Sequence, residues 1–311
     1  MSKILAVFGA TGQQGSSVVN HVLNDPELSQ KYKIRAITRD VNSQKAKQLK
    51  ERNVEVVEGD MQKRSSLEAA LDGANYTFVM TTPTFGPDAV EVEYNTAKTI
   101  ADVAVEKGLE YIIFSTLPSV TGMSGGKYNH VTPFDAKAQA EEYIRGLPIK
   151  SAFTSFGYFM ENLHTQPWLA PQPVGDGTWA LTRPVSSKNR LPYLYAEEDI
   201  GKFVGAILAE PDKYEGKTFC AAQAQYSLEE IVAALAKSTG KKIIYKQVSF
   251  EDFGKSMPFA ADLWVDGYHA QEEYGYYGLG SEEAVAWAAA QARGRLATLD
   301  EFLAKHPIQL L

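Results

Sequence analysis

The chain has 311 residues, of which 44% are hydrophobic and 22% charged, proportions of an ordinary globular protein that exclude a disordered, collagen-like or disulfide-scaffold chain. Its 31 basic and 38 acidic residues leave a net charge of −7, which gives no positive field for wrapping nucleic acid or an anionic membrane, so neither is expected as a direct partner. The single cysteine, Cys220, rules out an internal disulfide, and the first apolar run is broken by Gly9 before it reaches signal-peptide length, so a reducing, cytoplasmic location is expected.

From Lys3 to Ser155 short apolar runs alternate with longer amphipathic segments, the pattern of βαβ units and a parallel sheet. Strands are expected over Ile4–Phe8, Ile34–Thr38, Val54–Val57, Thr77–Thr81, Tyr111–Ser115 and Ala152–Ser155, dense in Val, Ile and Phe as strands buried on both faces are. Helices are expected over Gln14–Leu23, Gln44–Lys50, Ser66–Leu71, Val90–Lys107 and Pro133–Arg145. Pro133 suits the first turn of the last of these, with Thr132 as its N-cap. Joined by right-handed crossovers, these elements predict an α/β fold with a doubly wound parallel sheet of order 3-2-1-4-5-6.

Past Ser155 the texture changes, with Pro167, Pro171, Pro173, Gly175, Gly177 and Pro184 crowding turn-like clusters together. Ala196–Leu208 and Ser227–Ser238 then read as amphipathic helices and Lys242–Val248 as a strand, followed by an N-cap at Ser249 with Asp252 three residues on. Ser281–Arg293 reads as a last helix, stopped by Gly294. Residues 1–155 are therefore expected to be a dinucleotide-binding domain, and residues 156–311 a smaller α+β lobe with some chain crossing back to the sheet.

The strongest local signal is Gly9-Ala-Thr11-Gly12-Gln13-Gln14-Gly15, a glycine-rich turn that directly follows an apolar strand and opens a helix. Glycine serves there for the tight turn, for close approach of backbone to a pyrophosphate and for packing of helix on sheet, while the helix-start N–H groups supply positive potential. The second strand ends at Thr38-Arg39-Asp40, where this fold reads the adenine ribose. An acidic residue there would hydrogen-bond the 2′-hydroxyl of NAD, whereas arginine grips a 2′-phosphate. Arg39 comes first, with Lys45 and Lys47 close behind, so NADP(H) is expected over NAD(H), and Asp40 keeps NAD open. Asp60 and Met61, past the third strand, are candidate adenine contacts, although a turn aspartate would serve equally. Thr81 and Thr82, at the carboxyl edge of the fourth strand, are candidates to flank the nicotinamide ribose, and Phe156 and Tyr158, past the sixth strand, complete the cofactor set. No metal site is expected.

Segments spread over nearly the whole chain carry a family resemblance: Val7-Phe-Gly-Ala-Thr-Gly-Gln-Gln-Gly15, Ile37-Thr-Arg39, Val57-Glu-Gly-Asp60, Phe134-Asp-Ala-Lys137, Tyr158-Phe-Met-Glu-Asn162 and Thr298-Leu-Asp-Glu-Phe302. In these the chain resembles the NmrA-like branch of the atypical short-chain dehydrogenases/reductases. The resemblance implies an NADP(H)-binding Rossmann domain with a smaller substrate lobe. Catalytic members of the wider superfamily carry Tyr-x-x-x-Lys on the helix after the fifth strand, the lysine holding the nicotinamide ribose and the tyrosine protonating the substrate oxygen. Lys137 matches the lysine, but Pro133 stands where the tyrosine would be. Leu117 falls at the position of the companion serine, which Ser115 or Thr116 would fill only with the register slipped by one or two residues. Tyr128, His130 and Tyr158 are the candidate substitute acids. Two functions follow from the resemblance: an NADPH-dependent reductase of a small apolar carbonyl, enone or quinone, or a non-catalytic redox sensor that alters contact with a regulated protein, with a nuclear location then open as well. The aromatic-rich stretch Asp262–Tyr277 fits either a substrate lid or a partner surface, and the oligomeric state is not encoded in any motif.

Overall fold

The computed structural model describes residues 2–310. In the first half the strands are β1 (Lys3–Phe8), β2 (Tyr32–Thr38), β3 (Glu55–Glu58), β4 (Tyr76–Val79), β5 (Tyr111–Thr116) and β6 (Lys150–Phe156). Between them run α1 (Gln13–Asn24), α2 (Leu28–Lys31), α3 (Gln44–Glu51), α4 (Arg64–Leu71), α5 (Ala89–Glu106), α6 (Val120–Met123) and α7 (Thr132–Arg145). The second half continues with β7 (Tyr158–Phe159), α8 (Asn162–Thr165), β8 (Gln172–Gly175), β9 (Thr178–Arg183), β10 (Arg190–Leu194), α9 (Ala196–Ala209), α10 (Pro211–Tyr214), β11 (Thr218–Ala221) and β12 (Ala224–Ser227). It ends with α11 (Leu228–Thr239), β13 (Lys242–Gln247), α12 (Phe250–Ser256), α13 (Ala261–Tyr274), α14 (Glu282–Gln291) and α15 (Leu299–Lys305).

The first six strands take the order 3-2-1-4-5-6, all parallel, and β11 from the second half adds a seventh strand outside β6. Alternation along β1 shows why both faces had to be apolar. Leu5 and Val7 join a core with Val18 and Val22 of α1 and Ile200 and Phe203 of α9. Ala6 and Phe8 join the opposite core, with Ile100 of α5, Phe114 of β5 and Ile144 of α7. A parallel sheet sandwiched in this way exposes neither face, and its strands therefore read as unbroken hydrophobic runs.

The turn-like clusters past Ser155 contain a hairpin that the pattern did not separate from loop. β8 pairs antiparallel with β9 across Asp176 and Gly177, at φ +50° and +68°. Both central residues at positive φ make the tight turn whose twist matches paired strands. β8, β9 and β13 form one small sheet and β7, β10 and β12 another. Ser249 Oγ accepts from Asp252 N at 3.1 Å, as its position implied.

One local expectation at α7 needs correction. The helix includes Thr132, and Val131 takes the N-cap without a side-chain cap. Polar work at this end falls instead to Asp135, which accepts from Ser119 Oγ at 2.9 Å, Thr121 N at 3.0 Å and Thr121 Oγ1 at 2.7 Å. These bonds hold the start of α6 against α7.

Chain from the second half is locked onto the first through α9. Gly201 N donates to Ser17 Oγ of α1 at 2.9 Å, and a Cβ on Gly201 would lie 2.3 Å from Ser17 O. The two helix backbones touch there because glycine has no side chain. In an exposed helix, glycine to alanine stabilises by roughly 1 kcal/mol. Here the clash is with main chain and decides the sign, so Gly201→Ala is expected to destabilise by about 1–3 kcal/mol, as overpacking does. Denaturant unfolding checks this; a stabilised variant would mean that α1 and α9 are not in contact as described.

Candidate functional site

β1 delivers the chain to Gly9, which sits at φ +62°. Gly12 N closes the turn on Gly9 O at 2.8 Å, and a Cβ on Gly15 would lie 2.3 Å from that same oxygen. The loop therefore packs against the first turn of α1 only with glycine at position 15. Gly12 is the N-cap of α1 and offers no side chain to its N–H groups, so the positive end of the helix stays available to an anion. Gln13 and Gln14 open onto the cavity beside the loop, and Gln14 Oε1 is buried without a partner. Uncapped donors, a glycine cradle and an orphaned acceptor together fit a dinucleotide.

The charged residues beyond β2 differ in what they engage. Arg39 is exposed and forms no ion pair among the described residues. Asp40 is engaged in the next turn, where it accepts from Asn42 N at 2.8 Å. Lys45 Nζ donates to Thr11 O at 3.1 Å, which brings a cation to the glycine loop, and Thr11 Oγ1 lies 3.4 Å from Thr38 Oγ1. Asp60 accepts from Gln62 N at 3.0 Å and lies 3.4 Å from Lys63 Nζ. The backbone bond first, then Lys63 and Arg39, hold its pKa below the ordinary carboxylate value. Met61 packs against the core beneath β1 and β4.

Between the glycine loop and the second half lies a cavity of about 490 Å³. Its floor is the carboxyl edge of the sheet: Met80, Thr81 and Thr82 past β4, and Ser115, Thr116 and Leu117 at the end of β5. Phe156, Tyr158 and Phe159 form one wall, and the inner face of α13, with Trp264, Tyr268 and Gln271, forms another. The aromatic stretch Asp262–Tyr277 is thus the cover of the cavity. Trp168, Trp179, Tyr193 and Tyr195 do not reach it. Trp264 Nε1, Gln166 Oε1 and Gln271 Oε1 line it, buried and without partners.

Lys137 is the one charged side chain that lines this cavity among the described residues. It is 5% exposed, donates to Thr81 Oγ1 at 3.0 Å, and is ion-paired with Glu93 of α5, which is 2% exposed. Thr81 Oγ1 donates in turn to Glu93 Oε1 at 2.6 Å. Burial pushes the lysine pKa down and the carboxylate opposes this. The remaining contact of Nζ, to Thr81 O at 3.5 Å, is the weakest and the most easily exchanged. Glu93 belongs to no motif, yet its sequence position carries a signal: it falls on the stripe Glu93, Ala97, Ile100, Ala101, Ala104, the buried face of α5. A carboxylate in an apolar stripe demands a cationic partner.

The other acids are arranged less favourably. Pro133 lines the cavity one turn before Lys137 and has no proton to give. Tyr158 accepts from Gln271 Nε2 at 2.6 Å and stacks on Tyr193, and burial drives its phenol well above the ordinary value. His130 lies outside the cavity on an exposed loop, with Nδ1 2.8 Å from Asp266 Oδ2. Tyr128 donates to Glu273 at 2.6 Å. Both therefore fasten the outer face of α13. Among the described residues no cluster of three or more His, Cys, Asp or Glu is placed to hold a metal, and no helix is long and apolar enough to cross a membrane.

The sequence profile of the NmrA-like family matches residues 1–303. The NmrA-like family domain-containing oxidoreductase FrzB of Cladobotryum sp is 30% identical, over 81% of this chain and 79% of its own length. Among solved structures, the negative transcriptional regulator NmrA in complex with NADP superposes with a TM-score of 0.81 at 21% identity, covering 98% of this chain and 95% of that one, and its complex with NAD superposes equally well. The triphenylmethane reductase of Citrobacter sp. complexed with NADP(H) follows at 0.74 and 19%, covering 99% and 100%.

The Lys137–Glu93 pair yields a double-mutant prediction. Glu93→Leu alone leaves a buried ammonium without its counter-charge and should cost about 3–5 kcal/mol. Adding Lys137→Met removes that charge and should recover most of the loss. Urea unfolding of the two single variants and the double variant checks this; additive losses would mean that the pair is not coupled.

Proposed function

The chain belongs to the NmrA-like family, and on that premise we propose that it is an NADP(H)-dependent reductase of a small, mostly apolar carbonyl, enone or quinone. The observation that carries this reading is the solitary, buried Lys137 ammonium in an otherwise uncharged cavity that abuts the glycine loop. Gln13, Gln14, Thr81 and Lys137 mark the part of the cavity that the nucleotide takes up, and the cavity runs on past them to Phe159, Trp264 and Tyr268, which leave apolar room for a second molecule. Relatives and neighbours support it to the extent of their descriptions: FrzB is an oxidoreductase, and the triphenylmethane reductase was solved with NADP(H).

In this reading the glycine loop and the start of α1 hold the pyrophosphate, Arg39 the 2′-phosphate, and Lys137 with Thr81 the nicotinamide ribose. Bound NADPH supplies the hydride. The substrate oxygen must then gain one proton. Lys137 is the cavity's one charged acid; burial lowers its pKa and so makes it a better donor, while Glu93 steadies the charge until transfer. Thr81, bonded to both, lies on the same path. Trp264, Gln166 and Gln271 offer the few polar contacts that would orient an apolar substrate.

One observation favours a second reading. Pro133 occupies the place of the tyrosine acid, and without a positioned donor about 10²–10⁴-fold of general acid catalysis is forgone. The chain would then be a redox sensor that binds the nucleotide and reports it to a partner protein, as suits a neighbour described as a negative transcriptional regulator. Oxidation of NADPH with a panel of quinones, enones and aldehydes separates the two, since the sensor turns over none of them.

Two outcomes follow. NADPH should bind more tightly than NADH, because a charge-assisted bond to the 2′-phosphate is worth about 1.5–3 kcal/mol, or about ten- to a hundredfold in Kd. Calorimetry should show Arg39→Ala abolishing that preference; equal affinities in the unaltered protein would remove Arg39 from the site. Lys137→Met should lower kcat with the active acceptor by about 10²-fold or more, as loss of a proton donor does, with a much smaller loss of NADPH affinity. Unchanged turnover would exclude Lys137 from the chemistry.

A further inference from the structure

The second half holds a buried positive charge with no counter-charge. Arg183 closes β9 and is 4% exposed. Its Nη1 donates to Thr182 O at 2.7 Å and its Nη2 to Leu169 O at 2.6 Å, while Nε has no partner. Among the described residues no carboxylate forms an ion pair with it. The groups close enough to feel its charge are three tyrosines, Tyr193, Tyr245 and Tyr268, and burial, the larger influence on each, keeps them neutral. A guanidinium stays charged under any ordinary condition, so it cannot escape burial by losing a proton as a lysine can. Two carbonyl dipoles compensate it in part only, and buried charges in proteins are as a rule paired.

Arg183 lines a second cavity, of about 500 Å³, separate from the one that holds Lys137. Trp168 lines it too, and its Nε1 is likewise buried and unpartnered. Phe253, Met257 and Pro258, from α12 and the turn after it, supply apolar walls. Two planar donors, one of them fully charged, therefore share a cavity whose other lining residues are all uncharged, apolar on the side of α12 with Gln172, Thr182 and Ser256 between.

We propose that this second cavity binds the carboxylate of a small apolar organic acid. Arg183 supplies the charge and Trp168 a second donor, and the apolar body of the ligand lies against Phe253, Met257 and Pro258. A carboxylate presents two oxygens in one plane and matches a guanidinium edge and an indole N–H. A phosphate presents a third charged oxygen, for which the cavity holds no further cation. The proposal does not depend on the function assigned to the first cavity, although the sites share a wall: Gln166 faces one and Trp168 the other.

The test uses benzoate, its uncharged counterpart benzamide, and inorganic phosphate on the full chain. The readout is the indole N–H resonance of Trp168, assigned among the four tryptophans by its disappearance in Trp168→Phe. Benzoate is expected to shift that resonance in a saturable manner, and benzamide and phosphate at equal concentration are expected not to. Trp168→Phe, which keeps an aromatic ring, should weaken benzoate binding measured by calorimetry about tenfold, the loss of one hydrogen bond to a charged group. Arg183→Gln should abolish it. If Arg183→Gln fails to fold, the Trp168→Phe result and the benzoate–benzamide contrast decide alone. Equal binding of benzamide, equal binding of phosphate, or no shift of the Trp168 resonance by benzoate would each overturn the proposal.

Discussion

The ion pair between Lys137 and Glu93 is the constraint around which the site is built. Neither group reaches water to a useful degree, so each is tolerable only while the other is in place. Three elements must converge for that. The buried stripe of α5 presents Glu93, the second turn of α7 presents Lys137, and the chain leaving β4 inserts Thr81 between them. Well-packed apolar residues of similar volume would hold these elements together at least as well. The pair therefore makes sense by what it offers to the cavity: a charge at a fixed place among uncharged side chains.

The rest of the architecture protects that arrangement. The sheet brings the glycine loop and the ends of β4 and β5 to one carboxyl edge, where open α/β sheets bind ligands. The second half then does two things. It contributes β11 and α9 to the sheet layer, tied down where Gly201 meets Ser17 and where Arg293 grips Asp25 and Glu27 at 2.5–3.1 Å. It also folds α13 over the edge as a wall, with its outer face fastened to the loop before α7 through Asp266 and Glu273. Water is thereby kept from Lys137, and the charge–charge interaction inside is strengthened for the same reason.

Much of this was legible from residues alone. Six strands in their order, the helices between them and the glycine loop follow from period and spacing, because a doubly buried sheet imposes a pattern with few alternatives. Lys137 was legible through the superfamily spacing. Glu93 was not, since α5 reads as an ordinary amphipathic helix with several acidic residues, and only the three-dimensional position of its apolar stripe distinguishes this carboxylate from Glu91, two residues before it. β11 was missed because four residues, Thr218–Ala221, are too short to show a period, and its strand state is imposed by the exposed edge of β6. The β8–β9 hairpin was hidden for a related reason, its turn being plain in the Gly-Asp-Gly run while β8 has four residues and carries Pro173. Tyr158 and His130 were read as chemical groups without their surroundings. The structure gives the first a hydrogen-bond acceptor's role toward Gln271 and the second an acidic partner on α13.

A crystal structure of the protein with NADP bound at saturating concentration decides whether Lys137 serves the nucleotide. Lys137 Nζ is expected within hydrogen-bonding distance of a nicotinamide ribose hydroxyl while its pairing with Glu93 persists, with open cavity above the nicotinamide ring bounded by Tyr158 and α13. A nucleotide seated elsewhere, or one seated as described with Lys137 turned away from the ribose, would contradict that role.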